Sequence, residues 1–190
     1  MVHVTGTKRG EYMLDKLEVN GRTINLVKGD ITELDIESFV YYARTDLVLG
    51  SGFGNAITMR GGPGIQKELK ELGPIETTKA VISSAGELKA SHIIHAVGPK
   101  FQEENLETKL KETVTNSLQE AKKKGIKRVA FPPMGTGFYG VPLASSAEIM
   151  FETLITYLSG ETAIEEVVIC LNDNREYRSF ADHLAAVKQS

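Results

Sequence analysis

Cysteine is nearly absent from this chain: Cys170 is its one copy among 190 residues. A single thiol rules out a disulfide framework and a cysteine metal cluster. It sits inside Val167-Val168-Ile169-Cys170-Leu171, where it reads as a small buried strand residue in a reducing, cytoplasmic setting. Apolar runs are short, and none approaches the roughly 18 residues of a membrane helix. The first sixteen residues lack the apolar core of a signal peptide. Positive charge is not in excess: 22 Lys and Arg stand against 25 Asp and Glu, for a net charge of −3. That balance does not suit generic nucleic-acid binding, which needs a positive surface. The sequence also has no internal repeat, no low-complexity tract and no linker. It shows no Ser-His-Asp set and no carboxylate dyad. His92 and His95 stand three apart in one apolar run, so they face opposite sides of a strand and do not share a metal. No metal and no cofactor is expected.

What is present fits a globular domain. Hydrophobic residues make up 41% and charged residues 25%, enough for a sizeable core in a single domain. Residues 1–15 read as a mobile N-terminal arm and residues 16–190 as the domain. Asn20-Gly21 between two β-type runs, 16–19 and 23–28, signals a hairpin. Further strands are expected over 38–43, 80–84, 92–97, 128–131 and 166–171. Leu110, Val114, Leu118 and Ala121 recur at helical spacing, which predicts a helix over 106–124 that Gly125 caps. Helices are also expected over 55–72, broken at Gly61-Gly62-Pro63-Gly64, and over 143–158 and 175–187. Strands alternate with helices through most of the chain. That pattern predicts an α/β fold with a mainly parallel sheet covered on both faces. Such sheets bind ligands at the carboxyl ends of their strands.

Two glycine-rich loops stand at those ends. Phe131-Pro132-Pro133-Met134-Gly135-Thr136-Gly137-Phe138-Tyr139-Gly140 follows one strand and precedes a helix. Gly50-Ser51-Gly52-Phe53-Gly54-Asn55 precedes another helix. Backbone N–H groups freed of Cβ interference, ahead of a helix N-terminus, make a phosphate cradle. Two of them predict a diphosphate gripped from both sides. The first glycine run does not match a dinucleotide fingerprint: its glycines alternate, and residues 44–49 separate it from its strand. Asp30, directly after the strand 24–28, could accept a hydrogen bond from an amine such as that of adenine. From its spacing alone it equally suits the N-cap of the following turn.

Taken together these segments resemble the macrodomain, or ADP-ribose-binding, family. The matching stretches are Gly29-Asp30-Ile31-Thr32, Gly50 to Phe53 with Ala56-Ile57, Ile93-Ile94-His95-Ala96-Val97-Gly98-Pro99, and Phe131 to Pro142. The resemblance implies a three-layer α/β/α sandwich with a mixed, mostly parallel central sheet. It implies that Asp30 holds the adenine amine, with Ile31 at the adjacent amide position and Asn172 near the adenine edge. Gly50, Ser51, Gly52 and Phe53 would line the diphosphate and distal ribose. Met134, Gly135, Thr136, Gly137, Phe138 and Tyr139 would form the second diphosphate loop, with Phe138 over the distal ribose. The implied partner is ADP-ribose or ADP-ribosylated protein.

The sequence departs from the family pattern twice. Tyr41-Tyr42-Ala43-Arg44 occupies the place of an Asn-Ala-Ala-Asn segment. Arg44 then pairs with a phosphate, crowds the ribose, or forms an ion pair with Asp46. Gly54 stands where hydrolytic members carry an Asp. These departures predict binding with weak or absent hydrolysis, and predict that Arg44→Asn with Gly54→Asp would raise turnover. The alternatives are an ADP-ribosyl hydrolase or ADP-ribose 1″-phosphatase, or a binder of another nucleotide or RNA.

Overall fold

The computed structural model describes residues 15–189. The arm expected over 1–15 lies outside the described residues except for Asp15, which opens the first strand. β1 (Asp15–Val19) and β2 (Arg22–Lys28) form the expected hairpin. Asn20 and Gly21 both take positive φ, 50° and 77°, as a two-residue type I′ turn requires. β3 (Ser38–Tyr42), β5 (His92–Ala96), β6 (Arg128–Phe131) and β7 (Glu166–Leu171) complete the parallel part of the sheet with β2, and β4 (Ala80–Ser84) is added antiparallel at one edge. The strand order is β1-β2-β7-β6-β3-β5-β4. Five parallel strands thus sit between two antiparallel edge strands, the mixed and mostly parallel sheet expected from the sequence.

Every residue of β3 is buried, as a central strand covered on both faces requires. Val40, Ile94, Val129 and Ile169 point to one face, under α3 (Leu106–Lys123), α4 (Leu143–Ser159) and α5 (Asn174–Gln189). Phe39, Ile93, Ala130 and Val168 point to the other, under α1 (Phe53–Gly61) and α2 (Gly64–Leu72). The result is the three-layer sandwich. On α3 the buried positions include Leu110, Val114, Leu118 and Ala121, the stripe read from the spacing. Each such leucine contributes about 1.5–3 kcal/mol by leaving water. Gly125, at φ 75°, ends that helix; Ile126 N–H donates back to Ala121 C=O and Gly125 N–H to Lys122 C=O. The break between α1 and α2 falls at Gly62-Pro63, inside the expected glycine-proline segment.

All five parallel strands end at the same edge of the sheet, where Gly29-Asp30, Asn172, the 132–142 loop and the 43–52 loop emerge. β2 neighbours β7, β7 neighbours β6, and β6 neighbours β3, so three strand spacings separate Asp30 from the first glycine loop. That is roughly 14 Å, a span that calls for an elongated ligand.

Candidate functional site

The first glycine loop runs into α1 without a side-chain cap. Gly52 holds φ 61°, a conformation open to glycine at no steric cost, and a Cβ there would meet nothing within 4 Å. Glycine is therefore required by backbone direction, and the space before it is open. Among the described residues no acceptor meets the N–H groups of Gly50, Ser51 and Gly52. The first-turn amides of α1 are orphaned in the same place, at the positive end of the helix dipole.

The second loop presents the same feature from the neighbouring strand. Met134 is fully buried and anchors it: Ser146 Oγ donates to Met134 C=O at 2.8 Å, and Val141 N–H donates to Gly135 C=O at 2.9 Å. The N–H groups of Gly135 and Thr136 meet no acceptor among the described residues. Thr136 Oγ1 donates to Pro133 C=O at 3.1 Å. Gly137, Phe138 and Tyr139 form a single 3₁₀ turn. Phe138 is 92% exposed, its ring edge-on to Tyr139 at 5.3 Å. Tyr139 packs at a tilt against Tyr42, with ring centroids 4.7 Å apart, and Tyr42 donates to the carbonyl of Pro99. β3 and β6 are adjacent, so both loops emerge from neighbouring strands at the same sheet edge.

At the other end Asp30 takes the cap role that its spacing allowed. It caps the 3₁₀ turn Ile31–Glu33: its Oδ1 accepts from Thr32 N–H at 3.0 Å and from Thr32 Oγ1 at 2.7 Å. Its Oδ2 is paired with Arg60, from the last turn of α1. Burial pushes the Asp30 carboxyl up, but the hydrogen bonds from Arg60 and Thr32 outweigh it and hold the group below the usual 3.8. Asp30 is thus ionised at neutral pH and free to accept an amine. Ile31 N–H meets no acceptor among the described residues. A cleft of about 280 Å³ opens here, lined by Val27, Gly29, Asp30 and Leu34 among others. Gly29 N–H donates to Leu171 C=O at 2.9 Å, which sets Asp30 beside Asn172 at the ends of adjacent strands. Asn172 is exposed, and its N–H donates to Glu176 at 2.7 Å.

Of the three roles open to Arg44, the structure shows the ion pair. Its Nε and Nη2 donate to the two carboxylate oxygens of Asp46 at 3.0 and 2.6 Å. Asp46 also accepts from Val48 N–H at 3.1 Å, and both side chains are about half exposed.

The expectation that aspartate could simply be restored at position 54 needs correction. A Cβ on Gly54 would lie 1.7 Å from Leu49 O and 2.7 Å from the Tyr41 hydroxyl. The loop is held down on Gly54 by two clamps, one buried and one half-buried. Tyr41 Oη donates to Leu49 C=O at 3.0 Å; Gln66 accepts from Leu49 N–H at 2.8 Å and donates to Leu47 C=O at 3.2 Å. Tyr41, packed edge-on to Phe53 and His95, has its phenol pushed up to about 12 by burial. Gln66 and Arg60 were not picked out from the sequence, because their partners lie 17 to 30 residues away with no spacing rule to link them.

His95 and His92 do face opposite sides, as expected. His95 is fully buried, with Nε2 2.8 Å from Ser83 Oγ, and burial pushes it down to about 3. Among the described residues no group of three or more His, Cys, Asp or Glu could hold a metal ion. Among the described residues no helix is long and apolar enough to cross a membrane. Cys170 is buried and forms no disulfide; its Sγ donates to Gly29 C=O at 3.3 Å, and burial pushes the thiol up to about 12.

The Macro domain family model matches residues 42–150, more than half of the chain. The chain belongs to the Macro domain family. This macrodomain is 37% identical over 164 residues to a Macro domain-containing protein of Caldanaerobacter subterraneus, covering 83% of this chain and 93% of that one. It is 34% identical over 165 residues to the O-acetyl-ADP-ribose deacetylase of Cronobacter sakazakii, covering 84% and 91%. Among solved structures it is similar to the Oceanobacillus iheyensis macrodomain with ADP, at TM-score 0.89 and 28% identity over 95% of this chain and 99% of that one. A single-residue variant of the same protein was solved with ADPR, at TM-score 0.88 and 28% identity over 93% and 100%.

Proposed function

We propose that this macrodomain binds ADP-ribose across the C-terminal edge of its sheet and turns it over slowly or not at all. The observation that carries the reading is the pair of glycine loops on adjacent strands, each with backbone N–H groups that no acceptor meets. A diphosphate supplies the acceptors, and the N-terminus of α1 adds a favourable dipole. Asp30 accepts the adenine amine and Ile31 N–H serves a neighbouring ring position. The distal ribose lies beside Phe53, Phe138 and Tyr139. Arg44, tied to Asp46, borders that end and leaves the diphosphate to the amides.

Low turnover is supported by what surrounds the distal end. Hydrolysis needs a group that positions a water and takes its proton. The phenols of Tyr41, Tyr42 and Tyr139 are all pushed up by burial, first of all causes. His95 is sealed in the sheet and neutral. Asp46 is exposed and engaged by Arg44 and Val48. Gly54 brings no side chain, and the loop above it leaves no room for one.

A second reading, release of an ester or ADP-ribosyl group, is favoured by the likeness to the Cronobacter deacetylase. In that case substrate phosphate and loop amides would hold the water. Calorimetric titration with ADP-ribose tests the first reading: one site of micromolar affinity is expected, about −8 kcal/mol. Asp30→Ala should weaken ADP-ribose more than ribose 5-phosphate, which has no base. Absence of ADP-ribose binding refutes the reading. Robust release of acetate from O-acetyl-ADP-ribose, or of ADP-ribose from a modified protein, replaces it with the second.

A further inference from the structure

We propose that Arg60 reads the base together with Asp30, as the donor half of a donor–acceptor pair that selects a purine bearing an amine beside a ring nitrogen. The proposal rests on the ADP-ribose reading above and assigns a residue to its base end.

Arg60 reaches the site from α1, the same helix whose N-terminus faces the diphosphate. Its Nη1 is hydrogen-bonded to both Asp30 Oδ2 and Thr32 Oγ1. Its Nε faces Glu33 at 3.6 Å, and Glu33 is in turn held by Lys89 at 3.4 Å. The guanidinium is planar and its fork rigid, so the two Nη1 bonds, to Asp30 and Thr32, also fix the direction of Nη2. Among the described residues Nη2 meets no acceptor. Two N–H donors therefore remain beside Asp30 with a set orientation.

Acceptor capacity on Asp30 shows that Arg60 does not close the site. An ionised carboxylate has about four lone-pair positions. Thr32 takes two on Oδ1 and Arg60 takes one on Oδ2. One position on Oδ2 stays open, next to the free N–H groups of Arg60. The Asp30 and Arg60 side chains are 42% and 43% exposed, so both can be reached from solvent. An acceptor beside a donor matches a 6-aminopurine, whose amine donates and is flanked by two accepting ring nitrogens, one met by Ile31 N–H and the other by Arg60. A 6-oxopurine turns an oxygen toward the Asp30 carboxylate and loses this match.

The experiment compares wild type, Arg60→Ala, Arg60→Lys, Asp30→Ala and the double alanine variant against ADP-ribose and ribose 5-phosphate, with AMP against purine-riboside 5′-monophosphate, which lacks the amine. Glu33→Gln is the structural control, because it releases Lys89 and the outer contact of Arg60 but leaves Asp30 paired. Arg60→Ala should weaken ADP-ribose about ten-fold and ribose 5-phosphate less than two-fold. It should also erase most of the preference for AMP over the amine-free nucleotide. Arg60→Lys should recover only part of the loss, since a point charge lacks the fork. Losses from Asp30→Ala and Arg60→Ala should be less than multiplicative, as two residues serving one contact require. Glu33→Gln should stay within two-fold. Wild-type ADP-ribose affinity in Arg60→Ala, or an equal loss for ribose 5-phosphate, overturns the role of Arg60 and leaves the ADP-ribose reading standing. Failure of the wild-type protein to bind ADP-ribose refutes that reading and this role together.

Discussion

Gly54→Ala is expected to be among the most damaging methyl additions in this domain. The added Cβ would sit 1.7 Å from Leu49 O and 2.4 Å from Leu49 C, both main-chain atoms. An ordinary contact is about 3.5 Å, so the Leu49 peptide must retreat by roughly 1.8 Å. That retreat breaks the Tyr41 Oη bond to Leu49 C=O and strains both Gln66 bonds to the loop. Leaving a buried group unpaired costs about 1–3 kcal/mol, and overpacking adds about 1–3. The sum is roughly 2–6 kcal/mol. For a domain of this size each kcal/mol moves the melting midpoint by about 2–4 °C, so a drop of roughly 4–24 °C is expected. Differential scanning calorimetry measures it, with ADP-ribose titration on the folded fraction. Affinity should fall as well, because Gly50 to Gly52 belong to the displaced segment. Tyr41→Phe keeps the ring and removes only the hydroxyl, so it isolates the clamp, at about 1 kcal/mol. Gly54→Asp should lose stability like Gly54→Ala and gain no turnover. A Gly54→Ala protein that melts within about 2 °C of wild type and binds ADP-ribose equally well refutes the close-packed loop.

The other expectations concern the second loop, Arg44 and pH. Gly137 has φ 63° with open space before it, so Gly137→Val should keep the fold at a cost of about 1–2 kcal/mol and abolish ADP-ribose binding, which titration checks. Gly135→Val should also lose stability, because its Cβ would lie 2.8 Å from Val141 Cγ2; thermal unfolding separates the two. Arg44→Asn should leave the melting midpoint unchanged and ADP-ribose affinity level or higher, and a fall would make Arg44 a phosphate contact. His95 is held near 3 when folded and titrates near 6.5 when unfolded. The unfolded chain therefore binds more protons below pH 6.5, and stability falls as pH drops. Between pH 6.5 and 5 the loss is about 2 kcal/mol. Melting curves at pH 7.5 and 5.0 should show it, and a His95→Asn variant should have a flatter pH dependence.

Local rules made much of the fold legible. Asn20-Gly21 fixed a type I′ turn because both residues tolerate positive φ. The stripe on α3 was visible because one face of a helix repeats at 3.6 residues. Strand order was not visible, since β7 enters between β2 and β6 through contacts far apart in the chain. At the site, spacing suggested that Asp30 is a cap and that Arg44 meets Asp46, and both contacts are formed. The partner of Asp30 was hidden, because Arg60 meets it only once α1 has folded over the end of β2. The size constraint at Gly54 was hidden for the same reason: only the folded loop brings Leu49 over it.

Tyr41 and Gly54 thereby belong to one packing arrangement. A tyrosine at position 41 is long enough for its hydroxyl to reach Leu49 C=O, while its ring fills the space beside Phe53 and His95. Drawing Leu49 down in this way leaves no volume for a Cβ at position 54. Once Tyr41 holds the loop, glycine at 54 follows from sterics. The amides of Gly50 to Gly52 gain from the same arrangement. A segment clamped from both sides keeps its donors aimed without a ligand present, and preorganised donors lose less entropy on binding. The clamp that holds these amides is the same one that bars a side chain at position 54. On the proposed reading, one arrangement thus serves micromolar capture of ADP-ribose and offers turnover no side chain at that position.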